Sequence, residues 1–222
     1  MAPPKSYISW SSGKDSAFAL YEARRLGLAR VVGALTTINE VYDRVAMHGV
    51  RGALLDRQID ALGLPAIKVL LPSPCSNEIY EARMAEVCAA LKAQGIRHIV
   101  FGDLFLEDIR AYREKKLADV GMRGIFPLWK RDTRALAREM IASGIEAHLV
   151  CVDPKRLDRG FAGRAFDSDL LGDLPDDVDP CGENGEFHTV VSAGPMLSER
   201  IPVSIGDVVE REGFVFADVI PG

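Results

Sequence analysis

Several features that would place this sequence in a membrane, secreted or metal-binding class are missing. It has only four cysteines in 222 residues, and no two of them form the C-x-x-C pair typical of zinc sites. No apolar run is long enough to span a bilayer, and the first five residues lack the charged-then-apolar order of a signal peptide. We therefore expect a cytoplasmic protein with neither a zinc site nor a disulfide framework.

The sequence also lacks an excess of positive charge. Its formal net charge is −5, which argues against nonspecific nucleic-acid binding but leaves room for a local basic groove. Hydrophobic residues make up 48% and charged residues 27% of the chain, as in a soluble globular protein. A chain of this length can bury one α/β core and carry a small addition, but hardly two large domains.

Short apolar segments alternate with amphipathic segments over residues 1–152. The apolar segments resemble strands buried on both faces, and the others carry apolar residues at helical spacing. The alternation predicts a doubly wound, Rossmann-like α/β fold with a parallel sheet, in which 146–152 is the last parallel strand. The predicted strands cover 7–10, 31–38, 66–71, 98–103 and 146–152, and the predicted helices cover 17–26, 51–62, 76–94, 107–120 and 132–143.

The pattern changes at Asp153. Beyond a short helix and an acidic turn, residues around 187–191 and 214–219 alternate like antiparallel strands. We expect two units, an α/β domain at 1–152 and a small α+β appendage at 153–222 that packs near the strand ends.

A first motif lies between the first predicted strand and the first predicted helix. Free backbone N–H groups and the positive end of a helix dipole bind phosphate at such a junction, and open α/β sheets bind nucleotides there. Its aspartate would repel phosphate, so it either starts the helix or shares a Mg²⁺ with the phosphates. An ordinary serine-capped helix is the alternative. The first motif reads Ser11, Ser12, Gly13, Lys14, Asp15 and Ser16.

A second motif, residues 179–189, is the densest polar cluster in the chain. Glu183 and Glu186 supply carboxylates, and His188 supplies a group that titrates near neutrality. Such groups could bind or deprotonate an amine, or hold Mg²⁺. The alternative is a solvated hairpin turn, for which Gly-Glu-Asn-Gly is favourable.

Together the two motifs resemble the paired signatures of the diphthine–ammonia ligase family. SSGKDS is similar to the S-G-G-x-D-S loop of the PP-loop ATP pyrophosphatases, with Ser12 at a position where glycine is more usual. That exchange is mild if the residue has a negative φ. GENGEFHT at 182–189 is similar to the more specific G-E-x-G-E-[FY]-x-T, and His48, FGD at 101–103 and PLW at 127–129 agree as well.

The resemblance implies an adenine nucleotide alpha hydrolase-like fold and an ATP-dependent ligase. A carboxylate is adenylated with release of pyrophosphate, and ammonia then displaces AMP to give an amide; ATP, Mg²⁺ and ammonia are therefore the expected small partners. The implied catalytic residues are Lys14, Asp15, Glu183, Glu186 and His188, with Asp15 also the metal ligand. The implied nucleotide contacts are Ser11, Ser12, Gly13, Lys14, Asp15, Ser16, Thr36 and Gly102, and the implied substrate contacts are His48, Arg110, Arg113, Trp129 and Asn184.

Several alternatives stay open at this point. The acceptor is a protein side chain or a small molecule, or the enzyme modifies another acceptor such as a nucleobase. A nucleotide-binding sensor without turnover is a further reading, although it would not need the second motif. His48 is equally compatible with a surface loop, and Trp129 with the core. A homodimer is also left open.

Overall fold

The first strand of the chain is the central strand of the first sheet, and later strands lie on both sides of it. The computed structural model describes residues 2–46 and 48–222. Its parallel strands are β1 (Lys5–Ser9), β2 (Arg30–Asn39), β4 (Ala66–Leu71), β5 (His98–Val100) and β6 (Arg123–Ile125), and a short antiparallel β3 (Arg44–Val45) pairs with the end of β2. The parallel strands lie in the order β4-β2-β1-β5-β6. This order confirms the doubly wound parallel sheet.

Helices cover both faces of this sheet. Tyr7 and Ile8 are adjacent in β1, so their side chains point to opposite faces. Ile8 belongs to a hydrophobic cluster with the first, second and fifth helices, and Tyr7 to a cluster with the third and fourth. The helices are α1 (Lys14–Arg25), α2 (Gly52–Leu62), α3 (Asn77–Ala93), α4 (Glu107–Asp119) and α5 (Thr133–Ala142).

Two of the helix starts follow directly from local sequence. The Ser76 hydroxyl accepts a hydrogen bond from the N–H of Ile79, and the Asp132 carboxylate accepts one from the N–H of Ala135. Each side chain satisfies an N–H that has no partner within the helix. Ser76 and Asp132 are therefore the N-caps of α3 and α5.

A second sheet is antiparallel and includes a strand that the sequence assigned to the first. It consists of β7 (Glu146–Val152), β8 (Phe187–Ala193), β9 (Val203–Arg211) and β10 (Phe214–Pro221) in the order β8-β7-β10-β9. The prediction that 146–152 is the last parallel strand is wrong, because this strand pairs antiparallel with β8 and β10. It is buried on both faces like a parallel strand, so its apolar pattern could not distinguish the two arrangements.

The two sheets share one hydrophobic cluster. Leu149 and Val152 of β7 and Val190 of β8 lie in the cluster that also contains Leu20 of α1 and Leu54 of α2. The short helix α6 (Ser168–Asp173) precedes the second motif and adds Leu170 to this cluster. A division of the chain after residue 152 stays a prediction.

The strand order places two loops side by side. The chain leaves β1 and β5, which are neighbours, at the same edge of the sheet, and the strand order reverses between them. A Cβ at Gly102 would lie 2.7 Å from the carbonyl carbon and oxygen of Asp15. Only glycine therefore lets the loop after β5 approach the first turn of α1 so closely.

No helix in residues 2–46 and 48–222 has both the length and the apolar character needed to cross a membrane. The expected cytoplasmic location stays a prediction, as does a homodimer.

An ion-pair cluster ties the second sheet to the first. Asp218 of β10 accepts hydrogen bonds from Arg44 of β3 at 3.2 Å and from Nε of Arg51 at 2.9 Å. Arg44 also donates to the carbonyl of Gly49 at 2.6 Å. One carboxylate therefore fixes the segment between β3 and α2 against the C-terminal strand.

Replacing Asp218 by asparagine should lower the free energy of unfolding at neutral pH by about 1–2 kcal/mol, because two arginines lose their charged partner. Hydrogen bonds from Arg51, and then the charge of Arg44, lower the pKa of Asp218. The stabilisation is complete above the unfolded-state pKa of about 3.9 and is lost as the pH falls through the lower folded-state pKa. Urea unfolding across this range measures it, with Asp176→Asn in an exposed turn as the control. A difference from wild type that does not shrink in acid would contradict the assignment.

Candidate active site

The first motif forms a tight turn that is strained at one residue. The chain leaves β1 at Ser9, and α1 begins at Lys14, so the last three residues of the motif form the first helical turn. Ser12 has φ +68°, in the left-handed region that favours glycine. Serine in place of glycine would be mild only at a negative φ, which Ser12 does not have. The serine therefore costs on the order of 1 kcal/mol here relative to glycine.

Hydroxyl groups line one side of this turn. Ser11 Oγ lies 3.2 Å from Ser16 Oγ, and the N–H of Gly13 points to Ser11 Oγ at 3.4 Å. Ser16 Oγ also donates to the carbonyl of Gly13 at 2.9 Å. The two longer contacts are weak, so their donors could turn to phosphate oxygens at little cost. This side of the turn has the donor set that the sequence predicts for an anion site.

Lys14 connects the first motif to the second. Its backbone N–H donates to Thr189 Oγ1 at 3.1 Å, and its ammonium contacts the carbonyl oxygen of Cys181. The ammonium also lies 2.9 Å from Asp15 and over the rings of Phe166 and Phe187, at 5.3 and 5.5 Å from their centroids. The two motifs are therefore in direct contact.

The Lys14 ammonium is buried rather than presented to solvent. Its residue is 1% exposed. Burial opposes the charge, but Asp15 at 2.9 Å and the other nearby acidic groups outweigh it and raise the pKa of Lys14. The side chain therefore stays protonated and holds the two motifs together. The backbone N–H of Lys14 donates to Thr189, so this N–H, which was expected to bind phosphate, bonds within the protein instead.

Glu183 attaches the second motif to the loop after β5. Its carboxylate accepts the N–H of Leu104 at 2.8 Å, and its own N–H donates to Asp179 at 2.9 Å. Burial, with the charges of Asp15 and Asp103 adding to it, raises the pKa of Glu183 to about 7. A carboxyl group that titrates near neutrality can both accept and donate a proton under physiological conditions.

Glu186 is more deeply buried, at 2% exposure. One carboxylate oxygen accepts the N–H of Asp179 at 3.2 Å and the amide of Asn184 at 3.0 Å. The other oxygen, Oε2, is buried and has no hydrogen-bond partner within the described residues. Asn184 thus orients Glu186 and leaves one acceptor oxygen for a donor that the protein does not supply.

Two histidines from distant parts of the chain pack against each other, with tilted rings, beside the first motif. The rings of His48 and His188 lie 4.6 Å apart, and His48 Nδ1 lies 3.2 Å from the carbonyl oxygen of Thr189. That oxygen can only accept, so Nδ1 carries the proton and Nε2 of the neutral ring is an acceptor. Burial lowers the pKa of His48 to about 3 and that of His188 to about 4, so both are neutral at pH 7.

A cavity of about 690 Å³ opens next to the first motif. It runs from the carboxyl ends of the central strands to the space between α3 and α4, and its volume is within the usual range for small-molecule sites. Thr36 is buried on its wall with a hydroxyl that has no partner among the described residues. Among the predicted site residues, those that line the cavity are Ser11, Thr36, His48 and Arg113.

The remaining predicted substrate contacts form an arginine–aromatic stack. Arg110 lies over the rings of both Phe126 and Trp129, at 4.5 and 4.6 Å from their centroids, and Arg113 lies over Phe101 at 4.7 Å. In the described part of the chain, Arg110 and Trp129 are not among the residues that line the cavity. Arg113 does line the cavity, and the Asp103 carboxylate lies 3.0 Å from its guanidinium. The stack therefore supports the cavity wall beside Arg113.

Two residues that hold the site together, Thr189 and Gln58, are not among the predicted site residues. The Thr189 hydroxyl accepts a hydrogen bond from the N–H of Lys14, and its carbonyl oxygen accepts one from the His48 ring. Gln58 of α2 is fully buried and bonds to the carbonyls of Ser12 and Val191. The position of Gln58 could have revealed this role. It lies one turn after the buried Leu54 and one turn before Leu62, on a helix face that is otherwise apolar.

The described residues contain no group of three or more His, Cys, Asp or Glu side chains that could hold a metal ion by itself. Asp15 is the predicted ligand, and its side chain is 27% exposed at the edge of the first motif. Mg²⁺ is commonly held by one or two carboxylates together with phosphate oxygens. The arrangement fits an ion that arrives with a nucleotide, and the metal role of Asp15 stays a prediction.

Comparison with known families assigns both parts of the chain. Residues 4–124 match the model of the diphthamide synthase N-terminal domain, and residues 132–218 match that of the diphthamide synthase C-terminal domain. The chain belongs to the diphthamide synthase family. The expected family is confirmed, and with it an ATP-dependent ligase as the enzyme class.

Curated relatives extend this diphthamide synthase assignment. The chain is 24% identical to the diphthine–ammonia ligase of Danio rerio and 23% identical to that of Homo sapiens. Each match covers 94% of this chain, and they cover 90% and 86% of the respective relatives. A diphthine–ammonia ligase of Schizosaccharomyces pombe is 32% identical over 96 residues, which are 41% of this chain and 16% of that protein.

Thr189→Val should lower the free energy of unfolding by about 1–3 kcal/mol, because valine keeps the shape but leaves the buried N–H of Lys14 without an acceptor. Thr189→Ser keeps the hydroxyl and should retain most of the stability. Chemical denaturation of the two variants measures the difference. A Thr189→Val variant as stable as wild type, with Thr189→Ser the less stable of the two, would show that packing of the methyl group matters and the hydrogen bond does not.

Proposed function

We propose that this chain adenylates a carboxylate with ATP and transfers ammonia to it. A carboxylate oxygen attacks the α-phosphorus, and the bond from that phosphorus to the bridging oxygen breaks, so that pyrophosphate leaves. Ammonia nitrogen then attacks the acyl carbon, the bond from that carbon to AMP breaks, and the nitrogen loses a proton. The observation that supports the proposal is the contact of both motifs through Lys14, which brings the donor-lined turn close to the carboxylates of the second motif.

The first motif would hold the phosphates. The N–H of Gly13 and the hydroxyls of Ser11 and Ser16 lie on one side of the turn, at the amino end of α1. Donors fixed in this way stabilise the charge that grows on departing pyrophosphate, without reorganising during the reaction. Mg²⁺ bound by Asp15 and the phosphates would neutralise part of the same charge.

The cavity would take the adenosine part. Thr36 follows the middle of β2 and offers a buried hydroxyl that has no protein partner in the described residues. Leu35 and Phe101 contribute apolar surface to the same cavity. An apolar cavity with a few placed polar groups is the usual form of a site for a flat, ring-containing ligand.

The second motif would bind ammonia and take up its proton. Glu186 Oε2 is a buried acceptor without a partner among the described residues, and a buried carboxylate is most favourable when a cation or donor pairs with it. Glu183, whose pKa is about 7, would be able to receive the proton released when the amide forms. The neutral His188 ring is a further acceptor near the same motif.

The names of the relatives suggest the acceptor. These proteins are diphthine–ammonia ligases, so a carboxylate of the diphthine type is the first acceptor to test. Arg113 lines the cavity and already faces the carboxylate of Asp103 at 3.0 Å, so a substrate carboxylate could replace that partner. We infer that the acceptor carboxylate enters beside Arg113.

Incubation with ATP, Mg²⁺ and ammonium should yield AMP and pyrophosphate, slowly without an acceptor and faster with a diphthine-containing peptide. The reason is that adenylation splits ATP between the α- and β-phosphates. Anion-exchange chromatography separates the products. Ser16→Ala is the control, because loss of its hydroxyl should abolish the activity if it arises at the first motif. ADP and orthophosphate as the primary products would rule out the proposed chemistry.

Glu186→Gln should leave ATP affinity nearly unchanged and slow amide formation by roughly a hundredfold, as expected for a lost acid–base or ammonium-binding group. Calorimetric titration with ATP and mass spectrometry of the peptide product measure the two effects. Glu199→Gln, at an exposed carboxylate, is the matched control. A variant that forms amide at the wild-type rate would remove Glu186 from the ammonia step.

A further inference from the structure

Gln58 is a buried amide that contacts the strained residue of the first motif. It lies on α2, is fully buried, and has a hydrogen-bond partner for each of its polar groups. Its Oε1 accepts the indole N–H of Trp10 at 3.1 Å. Because that indole nitrogen can only donate, the amide orientation is fixed, and Nε2 must face the two carbonyls on its other side.

Those carbonyls belong to the first motif and to β8. Gln58 Nε2 donates to the carbonyl of Ser12 at 3.2 Å and to that of Val191 at 2.7 Å. The N–H of Val191 donates to the same Ser12 carbonyl at 2.9 Å. Two donors from different elements therefore hold one carbonyl oxygen in place.

The fixed direction of the Ser12 carbonyl also determines the direction of the Gly13 N–H. The peptide bond between Ser12 and Gly13 is trans and planar, so the carbonyl of one residue and the N–H of the next point in opposite directions. With the Ser12 carbonyl directed at Gln58 and Val191, the N–H of Gly13 points to the side where Ser11 Oγ lies at 3.4 Å. That is the hydroxyl-lined side of the turn.

We propose that Gln58 is a positioning residue for phosphate binding: it holds the Ser12–Gly13 peptide in the orientation that presents the Gly13 N–H to an anion. The proposal rests on the proposed ATP site. The left-handed φ of Ser12 explains the need for it, because a non-glycine residue at +68° persists only where its surroundings enforce it. Without the amide, the peptide could rotate and the N–H would leave the anion site.

The test compares Gln58→Met with Met140→Ala. Methionine keeps the length of the side chain but removes the donors, whereas Met140 is fully buried on α5 and serves as a destabilised control outside the network. Hydrogen exchange of the nucleotide-free proteins is followed by mass spectrometry at a temperature where circular dichroism shows all of them folded. We expect exchange in residues 10–17 to be roughly tenfold faster or more in Gln58→Met, but not in Met140→Ala.

A second readout uses ATP and pyrophosphate as probes in calorimetric titrations. Both affinities should fall roughly tenfold or more in Gln58→Met and stay at the wild-type value in Met140→Ala. Exchange in residues 10–17 that matches the control would overturn the role of Gln58, as would unchanged probe affinities. Failure of the wild type to bind either probe would instead refute the proposed ATP site, while the exchange comparison would still decide whether Gln58 holds the turn.

Discussion

The site depends on one residue, Lys14, which bonds to the second motif through both its backbone and its side chain. Its N–H reaches Thr189 on β8, and its ammonium reaches the carbonyl of Cys181. The two partners lie 175 and 167 residues away along the chain. Closing so long a loop costs entropy, which the shared hydrophobic cluster of the two sheets offsets. Polar contacts inside that cluster then select one relative position of the motifs.

Burial determines the electrostatics of the site. The ammonium lies among Asp15, a carbonyl oxygen and two aromatic faces, so it stays protonated although it is out of contact with water. The nearby histidines are neutral, with pKa values lowered chiefly by burial, and Glu183 titrates near neutrality for the same reason. The site thus pairs a fixed cation with a carboxyl group that can exchange protons near neutral pH, which suits the ammonia transfer that we propose.

Sequence patterns predicted much of the fold and the content of the site. The five long helices, the apolar strands at 31–38 and 66–71 and the turn before α1 are local features, and each is found close to its predicted position. The strand 146–152 was misassigned, because burial on both faces looks the same in parallel and antiparallel sheets. The positive φ of Ser12 was equally invisible, because serine seldom adopts it and the contacts that enforce it come from α2 and β8.

The sequence alone determined which chemical groups are available: a turn with hydroxyl and N–H donors at a strand–helix junction and a segment rich in carboxylates. These follow from residue type and short-range order, where backbone geometry leaves few choices. Only the tertiary structure decided their roles. Lys14, which the sequence presented as a phosphate ligand, is buried as the link between the motifs, and Gln58, which carried no signature, contacts the Ser12 carbonyl. The physical reason is that direction and burial of a side chain depend on elements far away in sequence, which local patterns do not encode.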